Sequence, residues 1–348
     1  MSFAKKILTW YAANKRSLPW RGERDPYRIW LSEIILQQTR VAQGTPYYLK
    51  FLSAFPTVYD LANAPEERVL KLWQGLGYYS RARNLHSAAK TVVGDMEGVF
   101  PSDYKGLRKL KGVGDYTASA IASICFNLPE PVVDGNVYRV LARYFGVELP
   151  ITSSEGIKYF KSLAREVMDG DNIREYNQGI MEFGAIQCVP KSPNCTRCPL
   201  KASCTALQQG RILELPVKAK KAKVRHRHFN YLYLEDVSGK TLLQQRTKKG
   251  IWQNLWEFPL IESDKNITEE ALVSQLDGFL DAGKVQEITR YNDSPVVHKL
   301  SHQHLHTVFW MVKTDEILEN GIPWSDVHKY PVPVLIADFF AKIRTFEA

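Results

Sequence analysis

Cysteine is scarce in this chain. Five occur in 348 residues, and four of those fall between positions 188 and 204. So few, so clustered, cannot form a disulfide scaffold for a chain of this size, and they point to a reducing compartment. There is no apolar run of about 18 residues, which excludes a spanning helix. The opening MSFAKKILTWYAANKRSLPW has scattered lysines but no continuous apolar stretch and no small-residue cleavage site, so no export signal is expected. Internal repeats and low-complexity tracts are missing too. What remains is an ordinary globular composition, 45% hydrophobic and 24% charged, at a length that predicts roughly two domains.

Charge is divided unevenly. Residues 1–213 hold 28 Lys and Arg against 19 Asp and Glu, whereas residues 214–348 hold 18 of each. Within the second part, Lys218, Lys220, Lys221, Lys223, Arg225 and Arg227 run without an intervening acid. A basic first domain and a basic connector suggest a polyanionic partner, nucleic acid being the default. The same run is equally compatible with a solvated tether.

Apolar spacing is helical from residue 1 to about 205. Tyr27, Trp30, Leu31, Ile34 and Ile35 follow i, i+3, i+4, i+7, i+8 behind Pro26, and Val137, Val140, Leu141, Tyr144 and Phe145 repeat the pattern. Eight to eleven helices and no strand are expected over 1–207, an all-α domain. Residues 208–228 read as a basic linker. Over 229–348 the pattern changes to α+β, with strands expected at 229–234, 241–245, 255–258 and 307–312. Helices are expected from Thr268, with Leu272, Leu276, Phe279 and Leu280 on one face, and after Pro333.

Cys188, Cys195, Cys198 and Cys204 give the spacing C-x6-C-x2-C-x5-C. Four thiolates from one short loop suit a tetrahedral sulfur site, and spacing alone leaves zinc and an iron–sulfur cluster open. Lys191, Arg197 and Lys201 make that loop cationic. Upstream, Gly112-Val113-Gly114 separates two helical stretches within 107–126. A glycine turn that leads into a helix N-terminus can hold a DNA phosphate without reading sequence, although a plain turn between helices uses the same residues.

Two acidic residues stand out. Glu33 lies on an unusually apolar helix, with Ile29 and Leu36 as its neighbours at i−4 and i+3. A carboxyl desolvated this way holds its proton toward neutrality, as a general acid must, unless it sits on the helix edge. Asp134 precedes Gly135-Asn136 and a helix, where its plain role is an N-cap. Capping hydrogen bonds keep a carboxylate ionised, and a raised carboxyl opposite an ionised one suits cleavage through an oxocarbenium-like transition state.

Together these residues resemble the adenine DNA glycosylases of the MutY family, within the helix-hairpin-helix and iron–sulfur glycosylase superfamily. LPWR at 18–21, WLSEIILQQTRV at 30–41, GLGYYSRARNL at 75–85, LKGVGDYTASAI at 110–121, VVDGNVYRVLAR at 132–143 and the four cysteines match in order. LWEFP at 255–259 and LSH at 300–302 match the family's C-terminal, Nudix-related domain. The resemblance implies a helix-hairpin-helix glycosylase domain with a [4Fe–4S] cluster on Cys188, Cys195, Cys198 and Cys204. It also implies removal of adenine mispaired with 8-oxoguanine (or guanine) in duplex DNA.

The resemblance further implies that Glu33 protonates adenine and that Asp134 stabilises the oxocarbenium, with Tyr116 and Asn136 on the sugar side. Trp20, Arg21 and Gln178 would surround the extruded base. Gln38 and Tyr78 would wedge into the duplex, Gly112, Val113 and Gly114 would hold its backbone, and Thr39, Ser301 and His302 would contact 8-oxoguanine. Where endonuclease III-type relatives carry a Schiff-base lysine this chain has Tyr116, which implies a monofunctional enzyme. No REx2E glutamate set follows LWEFP, so nucleotide hydrolysis is not expected, and Leu300 departs from the phenylalanine of many relatives. His298, His302, His304 and His306 invite a metal reading, although strand histidines more often serve packing. The competing readings are an endonuclease III-like glycosylase/lyase acting on oxidised pyrimidines and a non-catalytic duplex-binding protein. A monomer in a bacterial cytoplasm, with no membrane partner, is expected.

Overall fold

The computed structural model describes residues 1–218 and 224–343, so Lys220, Lys221 and Lys223 of the basic run lie outside the described residues. By internal packing the chain divides into two units, Met1–Asn63 with Asn84–Lys220, and Ala64–Arg83 with Lys221–Ala348. Before the first strand come α1 (Phe3–Asn14), α2 (Pro26–Leu36), α3 (Val41–Ala54), α4 (Val58–Asn63), α5 (Glu66–Trp73), α6 (Ser80–Met96), α7 (Tyr104–Lys109), α8 (Asp115–Phe126), α9 (Gly135–Phe145), α10 (Ser154–Val167), α11 (Ile173–Glu182) and α12 (Thr205–Gln208). That is one helix more than expected, α12 being a single turn at the end of the cysteine loop.

Local chemistry explains the boundaries that matter. Pro26 needs no N–H partner at the first position of α2, and Asp25 caps it by accepting from the Tyr27 amide at 2.9 Å. The helix ends before Gln38, which is held left-handed at φ 56°. Asp134 caps α9, and Gly146 ends it at φ 71°. The loop leading to Asp134 is pinned from below. Buried Asn177 of α11 donates to Glu130 O and Ser123 Oγ and accepts from the Val132 amide. Lys161 of α10 donates to Pro131 O at 2.8 Å while pairing with Asp115 at 3.1 Å. Around these contacts the unit packs Ile7, Trp30, Tyr48, Phe51, Phe160 and Phe183, all essentially inaccessible.

The second unit is a mixed sheet covered on both faces. Its main strands are β1 (Arg225–Asp236), β5 (Leu260–Ser263), β6 (Val285–Arg290), β7 (Val296–Lys299) and β8 (Gln303–Thr314), in the order β5-β1-β8-β6 with β7 also on β8. β1 and β8 run parallel, with Leu232 opposite Trp310, and the other pairings are antiparallel. Alternation sorts the side chains between the two faces. Leu232, Leu234, Val308, Trp310 and Val312 pack with Leu272, Leu276 and Leu280. Phe309 stacks on Tyr231 from the same sheet and on Phe339 of the last helix, Val334–Ile343.

Several expectations need correction. The strand expected at 241–245 is two short ones, β2 (Lys240–Thr241) and β3 (Gln244–Gln245), which pair with β9 (Ile322–Pro323) and β4 (Trp256–Glu257) in separate sheets. Thr268 does cap a helix, α13 (Glu269–Val273), but the helix stops after five residues and a 3-10 turn at Leu276–Gly278 continues. β5, β6 and β7 are absent from the sequence reading; β6 and β7 are mostly exposed and lack alternating apolar residues. The segment 64–83, which reads as part of the helical domain, packs with the C-terminal residues. Lys71 donates to Tyr330 O at 2.9 Å and Arg83 to Gln253 O at 2.8 Å.

Candidate active site

In the first unit a cavity of about 180 Å³ gathers Trp20, Arg21, Glu33, Thr39, Tyr116, Asp134, Asn136 and Gln178, eight of the residues singled out in the sequence. Glu33 enters it from α2 and is 8% exposed. Burial pushes its carboxyl from 4.5 up to about 7; the nearby Asp134 charge adds to this, while a hydrogen bond from Tyr116 and the charge of Arg21 oppose it. The Tyr116 hydroxyl also points at the Met181 sulfur, 3.2 Å away. Trp20 is buried and meets Tyr48 edge-on at 5.3 Å. Exposed Gln38 occupies the left-handed turn just after α2.

Asp134 faces Glu33 from the start of α9. Its Oδ1 accepts from the amides of Asn136 at 2.9 Å and Val137 at 2.8 Å, and its Oδ2 accepts from Asn136 Nδ2 at 2.8 Å. Burial nevertheless raises this carboxyl above its ordinary range, with the capping hydrogen bonds and Arg139 acting the other way. The N-cap is therefore as read, but a cap alone does not depress a carboxyl that lies this deep. Arg139, buried one turn along α9, donates to Asn136 Oδ1 at 3.0 Å, Cys188 O at 2.7 Å and Gly184 O at 2.7 Å. A hydrogen-bonded path thus runs from the cysteine loop through Arg139 and Asn136 to Asp134.

The four cysteines line one apolar cavity together with Val140, Arg143 and Leu200. Arg143 stitches the loop in place, donating to Val189 O, Pro190 O and Leu215 O at 2.8–3.0 Å and reaching Cys188 Sγ at 3.5 Å. Burial pushes the Cys198 thiol up to about 11, and the sulfurs of Cys188, Cys195 and Cys204 add to it. Four sulfurs therefore feel one another around an enclosed space. Among the described residues no three His, Cys, Asp or Glu side chains converge on a single metal position. Four thiols lining one apolar cavity are a donor set that fits a sulfur-ligated metal centre.

Gly112, Val113 and Gly114 form the turn between α7 and α8. Gly112 sits at φ 80°, and a Cβ there would lie 2.8 Å from that of Asn84, so only glycine fits. Val113 is buried and Gly114 is exposed.

In the second unit a larger cavity, about 730 Å³, brings Tyr78 and Arg83 together with Trp252, Leu300, Ser301 and His302. Tyr78 is 48% exposed, in a left-handed conformation at φ 48°. Ser301 and His302 occupy the turn before β8, with Oγ and Nδ1 3.2 Å apart. His306 instead stacks with His226 and His228 of β1, His304 meets His226 edge-on, and His298 packs on Trp252. Glu257 of LWEFP is buried against Tyr231 and Arg246.

This chain matches the model of the HhH-GPD superfamily base excision DNA repair proteins over residues 31–168 and that of the NUDIX domain over residues 230–342. It is 33% identical to an adenine DNA glycosylase of Buchnera aphidicola, with 99% of this chain aligned to 97% of that one. The chain belongs to the adenine DNA glycosylases. The human adenine DNA glycosylase is also 33% identical, over 86% of this chain and 65% of that one. Among solved structures, a thermostable thymine-DNA glycosylase matches with a TM-score of 0.56 and 32% identity, over 60% of this chain and 95% of that one. An endonuclease III–DNA complex, at 22% identity and a TM-score of 0.52, shares the fold.

The glycosylase is thus a hydrolase of base excision repair that releases adenine from DNA. Sequence reading missed Tyr11, Arg16, Glu182 and Arg139. Helical spacing held the signal for two of them, since Glu182 is i+4 from Gln178 and Arg139 is i+3 from Asn136.

Proposed function

We propose that this glycosylase removes adenine paired with 8-oxoguanine or guanine, as a monofunctional enzyme, with the extruded adenine in the Glu33–Asp134 cavity. One observation carries the reading: a buried carboxyl raised to about 7 faces a second carboxylate across a cavity lined by hydrogen-bond donors. Glu33 donates its proton to N7 of adenine. The C1′–N9 bond then breaks with its electron pair going to the base. Asp134 stabilises the sugar cation until water adds at C1′ and gives up its proton to the Glu33 carboxylate, which restores the acid. Tyr116 and Asn136 hold the two carboxyl groups, and Trp20, Arg21 and Gln178 hold the base.

Tyr116 has no amine to form a Schiff base, which supports hydrolysis without strand nicking. Ser301 and His302, with Thr39, are the proposed readers of 8-oxoguanine, and Tyr78 and Gln38 the wedges. Gly112, Val113 and Gly114 bind the backbone. Cys188, Cys195, Cys198 and Cys204 would hold a [4Fe–4S] cluster, whose iron–thiolate bonds would cross-link the loop that carries Lys191, Arg197 and Lys201.

The test is single-turnover cleavage of a duplex with one 8-oxoguanine:adenine pair, with and without hot alkali, beside Glu33→Gln and Tyr116→Lys. Breaks are expected only after alkali, none with Glu33→Gln, and alkali-independent nicking with Tyr116→Lys. Breaks from the wild type without alkali would identify a lyase, and tight binding without excision a docking protein.

A further inference from the structure

Glu182 closes α11 with its side chain only 3% exposed. Its Oε1 accepts from the Arg16 amide at 3.0 Å and Arg16 Nε at 2.7 Å, and its Oε2 accepts from Arg16 Nη2 at 2.8 Å and Arg21 Nη2 at 3.1 Å. A carboxylate has about four acceptor positions, so none is left for a ligand. Burial would raise this carboxyl, but the Arg16 hydrogen bonds and the two arginine charges outweigh burial and hold it below its ordinary range. The group is therefore an anion at neutral pH.

The clamp extends one residue further. Arg21 Nη1 donates to Gln178 Oε1 at 2.7 Å, and the Tyr11 hydroxyl points at the same oxygen from 3.4 Å. A guanidinium can only donate, so Gln178 must turn its oxygen to Arg21 and its N–H2 away. Among the described residues neither that N–H2 nor the buried Nε of Arg21 has a partner. Arg16, Arg21 and Gln178 all line the cavity. Donors are in excess on this wall, and every lone pair of Glu182 is spent on holding them.

We propose that Glu182 is a positioning residue of the adenine pocket, balancing the charge of Arg16 and Arg21 while aiming them, and through Arg21 the Gln178 amide, at ring nitrogens of the extruded base. The inference rests on the Glu33–Asp134 cavity being that pocket. Adenine presents unprotonated ring nitrogens, which accept from such donors. The charge balance matters equally, because the same cavity holds the acid. Glu33 of α2 shares it with Arg16 and Arg21 of the loop after α1, Tyr116 of α8, Asp134 before α9 and Glu182 of α11. Removing the Glu182 charge leaves two guanidinium groups uncompensated, and they favour ionised Glu33.

The experiment is single-turnover adenine excision against pH, using the full-length cluster-containing protein with Glu182→Gln, Glu182→Asp, Arg16→Met and Glu33→Gln. Glu182→Gln is expected to slow excision about tenfold or more at neutral pH and to move the alkaline limb to lower pH. Glu182→Asp, which keeps the charge, restores the limb toward its wild-type position. Arg16→Met moves it upward, which keeps the inference testable if Glu182→Gln fails to fold. Limbs that coincide in all variants, whatever the loss of rate or melting temperature, would reduce Glu182 to a strut and overturn the inference. Excision that survives in Glu33→Gln would instead overturn the pocket assignment.

Discussion

At the scale of single residues, the raised carboxyl of Glu33 makes stability depend on pH. Its carboxyl is raised from 4.5 to about 7 in the folded chain, so its protonated form is favoured by folding. The stability this adds is complete below the unfolded value and is lost as pH rises through about 7, because the folded protein then carries a buried charge that the unfolded chain solvates. The shift corresponds to something on the order of 3 kcal/mol. Glu33→Gln should therefore raise stability to denaturant by about 2–3 kcal/mol near pH 9 and change it little near pH 4. Equal effects at both pH values would show that the carboxyl is not raised. With Glu33 as the proposed general acid, excision by the wild type should fall over the same alkaline range.

At the scale of elements, α9 links the Glu33–Asp134 cavity to the cysteine loop. Its N-cap is Asp134, its first turn carries Asn136, and its second carries Arg139, which holds the carbonyls of Gly184 and Cys188. Arg139→Leu would leave those two carbonyls, that of Gly184 buried, without the donor and free the Asn136 amide to rotate. A loss of about 2–4 kcal/mol in stability is expected, with slower excision. Denaturation and single-turnover rates would check it; unchanged stability and full rate would show the path to be incidental. Helices such as α2 and α9 were legible from the sequence because their apolar residues recur at 3.6-residue spacing beside an evident cap. β6 and β7 were not, since they are recruited by pairing with β8 and carry no apolar alternation of their own.

At the scale of the whole molecule, the division of the chain does not follow its order. Residues 64–83 pack with the C-terminal residues through Lys71 to Tyr330 O, Arg83 to Gln253 O and Asn254 to Glu66. A chain ended at residue 217 should therefore keep slow hydrogen exchange in α8, α9 and α11, while exchange over 64–83 speeds up by about tenfold or more. Unchanged protection there would show that this segment needs no partner from the C-terminal residues. The same segment carries Tyr78, one of the two proposed wedges, so the truncated protein is also expected to lose preference among mispairs more than it loses affinity for duplex.

The sequence by itself determined whatever is written in local pattern: an all-helical first part, strands and helices in the second, the four-cysteine loop, and the motifs that carry Glu33, Asp134, Ser301 and His302. Periodicity, caps and spacing are properties of neighbours along the chain, and they can be read without coordinates. Tertiary structure alone decided which distant residues share a dielectric and a hydrogen bond. It placed Arg16 and Arg21 on Glu182, 166 and 161 residues away, and it buried Asp134 deeply enough to lift a carboxyl that capping alone would have lowered. Desolvation and charge pairing depend on what surrounds a group from all sides, and that exists only once the elements have packed.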